Sequence, residues 1–202
     1  MKKRLLLLLV MAMALPLAAF ADDVSFSSTG GTLTGNSAGL TLVNATLTQV
    51  SGLGGSSFTG SNLGTVSFST GDFGPIANVN NGGAILAGGT ITITGNGADG
   101  IPTGTLFSGT FSTGGTWGYV LQPDGTYLYT LNANVTGVDG NGNGASGTIV
   151  FSIDNGTKPF AGYTNASGTS SVNVAVPEPG ELSFLGMGLI GLIGAIRRKV
   201  SC

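Results

Sequence analysis

Gly35-Asn36-Ser37-Ala38-Gly39 has the spacing of a nucleophile elbow, which lifts a serine hydroxyl out of a strand–turn–helix bend to attack a carbonyl. Such a serine needs a base to take its proton, and the 202-residue chain contains no histidine. No helical periodicity follows Gly39 either, so Ser37 reads as a turn residue. Gly95-Asn96-Gly97-Ala98-Asp99-Gly100 matches a dinucleotide fingerprint after the strand-like run Thr90 to Thr94. A pyrophosphate there needs the N-terminus of a helix, whereas Ile101-Pro102 follows. Gly142 to Gly147 repeats the pattern, as a chain with 37 glycines will by chance. Asp139-Gly140-Asn141-Gly142-Asn143-Gly144 begins like a calcium loop, but its twelfth position is Val150 where a bidentate glutamate is required. The sequence assigns no catalytic residue, metal ligand or cofactor.

The remaining chemistry is aromatic. If Pro123-Asp124-Gly125 makes a type I turn with a glycine bulge, Gln122 faces Thr126 across it. Leu121 then pairs with Tyr127, Tyr119 with Tyr129 and Trp117 with Leu131, all on one face. Gly118, Val120, Thr126, Leu128 and Thr130 take the other face. Trp117, Tyr119, Tyr127 and Tyr129 form either part of the core or a stacking platform for sugar rings.

A sheet must position that hairpin. Val66/Phe68, Ile91/Ile93, Ile149/Phe151/Ile153 and Val172/Val174/Val176 place apolar side chains on one face at period two. Leu40 to Val50 reads as another strand whose alternation slips at Val43. Asn81-Gly82-Gly83, Asn96-Gly97, Asp139-Gly140-Asn141-Gly142 and Asn155-Gly156 separate the runs as turns. The pattern predicts an all-β domain over residues 22–175, an antiparallel β-sandwich or jelly roll, with a β-solenoid as the alternative. A solenoid is disfavoured because no fixed sequence period recurs.

The two ends differ in kind from this domain. Met1-Lys2-Lys3-Arg4 precedes an apolar run from Leu5 to Leu15, and Ala19 and Ala21 occupy a small-x-small cleavage site. Residues 1–21 therefore read as a signal peptide, cut by signal peptidase before Asp22. Residues 176–202 hold Pro177-Glu178-Pro179, an uncharged stretch from Leu182 to Ile196, and the cluster Arg197-Arg198-Lys199. An apolar segment closed by basic residues is a stop-transfer pattern with its basic end in the cytoplasm. As a transmembrane helix, residues 182–196 reach only about 22 Å against a hydrocarbon core of about 30 Å. Gly186, Gly188, Gly191 and Gly194 weaken the helix further, which suits a temporary anchor. The two prolines hold residues 177–179 extended and unable to join a strand or helix.

This tail resembles that of the PEP-CTERM family of exported proteins, found mostly in Gram-negative bacteria that make extracellular polysaccharide. The resemblance covers roughly residues 176 to 200. It implies that Pro177, Glu178 and Pro179 are recognised by an exosortase, a membrane-embedded transpeptidase-like enzyme, and that Arg197, Arg198 and Lys199 are the cytoplasmic stop. It implies transient inner-membrane anchoring, then release to the cell surface or medium. It implies nothing about the domain delivered.

Without its ends the chain changes character. The formal charge of the whole is −2, but residues 22–176 carry seven aspartates against Lys158 alone, a net of −6. An acidic, arginine-free domain argues against nucleic acid or an anionic membrane as partner. It has no His, Cys, Met, Glu or Arg, so disulfides and a histidine or cysteine catalytic group are unavailable, and its aspartates fall in turns or near the N-terminus rather than in a paired-carboxylate pattern. The expectation is a non-enzymatic exported surface or extracellular-matrix protein, structural or adhesive in a polysaccharide-rich envelope or biofilm. The alternative is a carbohydrate-binding module using the Trp117/Tyr119/Tyr127/Tyr129 face.

Overall fold

Thr90-Ile91-Thr92-Ile93-Thr94 shows the rule by which this chain folds: Ile91 and Ile93 are fully buried while the threonines face outward. Repeated over successive strands, that alternation gives a sheet with an apolar face and a hydroxyl face. The computed structural model describes residues 22–165 and 168–176. The predicted signal cleavage residues Ala19 and Ala21, the motif Pro177-Glu178-Pro179, the apolar segment 182–196 and the cluster Arg197-Arg198-Lys199 lie outside the described residues.

Among the described residues eleven strands are present: β1 (Asp22–Thr29), β2 (Thr32–Asn36), β3 (Gly39–Leu53), β4 (Ser56–Thr70), β5 (Gly83–Ile85), β6 (Gly89–Asn96), β7 (Thr103–Leu121), β8 (Tyr127–Asp139), β9 (Gly144–Asp154), β10 (Tyr163–Asn165) and β11 (Thr169–Val176). All pair antiparallel in one sheet. From β3 through β4, β6, β7, β8 and β9 to β11, neighbours in space are neighbours in sequence, apart from the short strands β5 and β10. The sheet then closes on itself, because β1 pairs with β11 on one side and β3 on the other. The result is an eight-stranded antiparallel barrel of β1, β3, β4, β6, β7, β8, β9 and β11.

This corrects the expected sandwich or jelly roll, in which two separate sheets face each other. It also excludes the solenoid, whose rungs stack in parallel. Closure leaves no free edge on the barrel strands, and eight strands enclose an interior just wide enough for side chains to fill. Phe68 contacts Phe111 and Phe151 edge-on at 6.0 and 5.5 Å between ring centroids. Leucines and isoleucines from β3, β4, β6, β7, β8 and β9, with Val24 and Phe26 of β1 and Val172 and Val174 of β11, complete this core.

Several bulges interrupt the pairing, and two irregularities bend the chain around β3. The slip at Val43 is a β-bulge: register against β4 jumps between Leu42 and Ala45, leaving Asn44 at φ 57° and Val43 exposed. Opposite it, the chain bends at Gly30-Gly31 so that β1 and β2 share one edge of β3. Gly31 has φ 95°, and a Cβ there would stand 2.9 Å from Val43 O and Ala45 N, so only glycine fits.

Candidate functional site

The barrel has two unlike rims. One holds the start of β1 and the end of β11, where Asp22 pairs with Val176, and the turns at 54–55, 97–102 and 140–143. The other holds the β7–β8 turn and the segments 71–88 and 155–162. The aromatic hairpin belongs to the second rim.

Its register agrees with the sequence pattern pair by pair: Trp117 with Leu131, Tyr119 with Tyr129 and Leu121 with Tyr127. Gln122 N–H donates to Thr126 O at 2.8 Å and Gly125 N–H to Gln122 O at 2.9 Å, closing the turn. Asp124 accepts from both the backbone N–H (3.0 Å) and the hydroxyl (2.8 Å) of Thr126. Those two bonds, the backbone one first, hold its carboxyl below the usual range.

The aromatic face divides along its length, and the choice between core and platform divides with it. Trp117, Tyr129 and Leu131 are buried. Trp117 stacks on Tyr129 at 5.1 Å and 23°, and Phe160 meets both edge-on. Segment 71–88 crosses this end of the lumen and is tied to it by side chains. Trp117 Nε1–H donates to Val79 O at 2.9 Å, and the Tyr129 hydroxyl donates to Asn80 O at 2.6 Å. The same hydroxyl accepts from Phe160 N–H at 3.0 Å. Burial pushes the Tyr129 hydroxyl pKa up, against the opposing Phe160 hydrogen bond. Trp117 and Tyr129 are therefore core, and neither is open to a sugar ring.

Beyond them the face emerges into solvent. Tyr119 is 43% exposed and Leu121 56%, while Tyr127 is half-buried against the core. Tyr119 lies 5.2 Å from both Tyr127 and Tyr129, so a rigid aromatic base supports the exposed ring.

The outward face of the same hairpin holds what the sequence pattern passed over. Gly118 leaves a shallow depression of about 320 Å³ between Val120 and Leu128 on one side and Thr116, Thr130 and Asn132 on the other. A second depression of about 300 Å³ lies where β9, β11, β1 and β3 run side by side, among Val150, Ser152, Thr169, Ser171, Ser27 and Thr48. The signal in the sequence was a run of small and hydroxyl-bearing outward positions. It has no spacing signature, because its members lie on different strands.

Three of the motif-like segments form turns, while Gly142 to Gly147 runs from a turn into β9. Ser37 sits in the tight β2–β3 turn, where Asn36 Oδ1 accepts from Ala38 N–H at 2.8 Å. Gly95 to Gly100 runs into a single 3₁₀ turn (Ala98–Gly100). The Asp139 carboxylate is taken up by Asn141 N–H (2.9 Å), Asn143 N–H (2.7 Å) and Asn143 Nδ2 (3.0 Å). Among the described residues no group of three or more acidic, histidine or cysteine side chains converges, and no helix is long and apolar enough to cross a membrane. The chain matches no family model, no curated protein and no solved structure.

Proposed function

We propose that this is an exported, non-enzymatic component of the cell surface or extracellular matrix, structural or adhesive in a polysaccharide-rich envelope or biofilm. In this reading signal peptidase removes residues 1–21 and an exosortase cuts near Pro177-Glu178-Pro179, after transient anchoring through residues 182–196. The observation that carries the reading is a barrel filled by its own aromatic side chains and faced with uncharged hydroxyls. A lumen occupied by Phe68, Phe111, Phe151, Trp117 and Tyr129 leaves the outer wall and rims for any partner. Neutral hydroxyl surfaces suit contact with hydrated polymers.

Adhesion through carbohydrate binding is the second reading, favoured by the exposed Tyr119 beside Tyr127. Of the four aromatics, these two remain available to it.

Mass spectrometry of the released product tests the main reading. A mature chain starting at Asp22 and ending close to Val176 is expected. Glu178→Ala should leave a full-length precursor in the membrane. Unchanged release of that variant would remove the exosortase from the account.

A further inference from the structure

The two outer depressions sit on one pair of cross-strand rows. Gly118, Thr130, Ser152, Thr169 and Thr29 stand opposite one another in register across β7, β8, β9, β11 and β1. Thr116, Asn132, Val150, Ser171 and Ser27 form the adjacent row across the same strands. All ten positions face outward, and the Thr130 and Ser152 hydroxyls bond to each other at 3.2 Å midway between the depressions. Four inter-strand steps make the track about 19 Å long.

We propose that this track binds a linear, uncharged polysaccharide along the circumference of the barrel. The proposal rests on the surface or matrix role argued above and names its ligand class. A pyranose presents an apolar C–H face and a rim of hydroxyls. The track answers with aliphatic walls at Val120, Leu128 and Val150, and with neutral donors and acceptors at the remaining positions. Neither row contains a charged side chain. The ionised group nearest in register is Asp154, opposite Leu128, and with the domain's net −6 it opposes uronate or phosphate polymers. Gly118 makes the well at one end. Its backbone lies outside the left-handed region, and a Cβ there would meet no atom within 4 Å, so the absent side chain leaves room without serving the fold.

That freedom supplies the test. The purified full-length chain, in mild detergent to keep its apolar ends in solution, is run in native gels containing a neutral glucan, a neutral galactomannan or alginate. Retardation by at least one neutral polymer and none by alginate is expected. Gly118→Val and Ser171→Arg should each abolish it with the thermal midpoint unchanged. No retardation in either neutral gel, stronger retardation in alginate, or retention of binding by both variants overturns the track. Loss only on Tyr119→Ala would place the sugar on the opposite face and overturn it as well. If Gly118→Val instead dissolved a dimer seen by size exclusion and left gel mobility unchanged, the track would be a self-association surface. Correct processing at both ends without retardation would reject the track alone and leave the surface role standing.

Discussion

At the rim that holds both ends of the domain, turns satisfy themselves. Asp139 accepts from residues two and four positions on, and Asn96 Oδ1 accepts from Ala98 N–H at 2.9 Å. At the opposite rim, segments far away in the chain close the barrel. Val79 and Asn80 bond to Trp117 and Tyr129, which lie 38 and 49 residues further along, and Phe160 bonds back to Tyr129. The first rim's turns rest mainly on local hydrogen bonds, with two longer ties, Asn96 Nδ2–H to Asn62 O at 3.0 Å and Gly140 N–H to Leu106 O at 2.9 Å. The second is built from buried aromatic rings and polar groups that have no alternative partner. Large apolar side chains come into solvent mostly on the second rim, at Ile76, Leu86, Tyr119 and Leu121. An end capped mainly by its own turns and an end assembled mainly from tertiary contacts therefore share one barrel.

Three substitutions measure that difference. Trp117→Ala should cost most, about 3–5 kcal/mol, because it removes a buried ring and leaves a cavity between Tyr129 and Phe160. Chemical denaturation gives the figure, and a cost below 1 kcal/mol would mean the second rim is not built on this residue. Tyr129→Phe keeps the ring and strands two backbone groups, Asn80 O and Phe160 N–H, at about 1–3 kcal/mol. It carries a pH signature too. The raised Tyr129 pKa means its contribution is fully present below the ordinary tyrosine range and is lost as pH rises through the folded value. Stability of the parent chain should therefore fall at alkaline pH above about 10, and the variant should lose that part of the decline. Asp139→Ala at the first rim should cost least, about 1 kcal/mol, since its bonds stay within one surface turn, one exposed and two part-buried, where water can reach the freed donors. A larger loss from Asp139→Ala than from Tyr129→Phe would break the comparison.

Much of the hairpin was legible because its information is local. Pro123-Asp124-Gly125 restricts φ, the bulge sets a single register, and period-two alternation assigns each face. The slip at Val43 was also visible, and its meaning, a bulge that bends β3, became clear once β4 stood beside it. Alternation could not distinguish a sandwich from a barrel. Both bury one face of each strand and expose the other, and they differ only in whether the first and last strands meet. The core-or-platform choice for the aromatics was open for a related reason. Residues on one strand face share a direction but not a depth, and depth depends on where segment 71–88 crosses the lumen.

The sequence by itself determined the all-β character, the outward hydroxyls, the turns and the register of β7 against β8 from Trp117 to Leu131. Each depends on torsional preferences and periodicity within about a dozen residues. Tertiary structure alone decided that Asp22 meets Val176, that Trp117 and Tyr129 are sealed while Tyr119 is not, and that ten small residues from five strands form two rows. Those outcomes require barrel closure, and closure brings together residues more than a hundred positions apart, such as the buried hydroxyl pair Ser28 and Ser170. No local preference encodes a contact at that separation. It follows from twist, bulges and the burial of a shared apolar face.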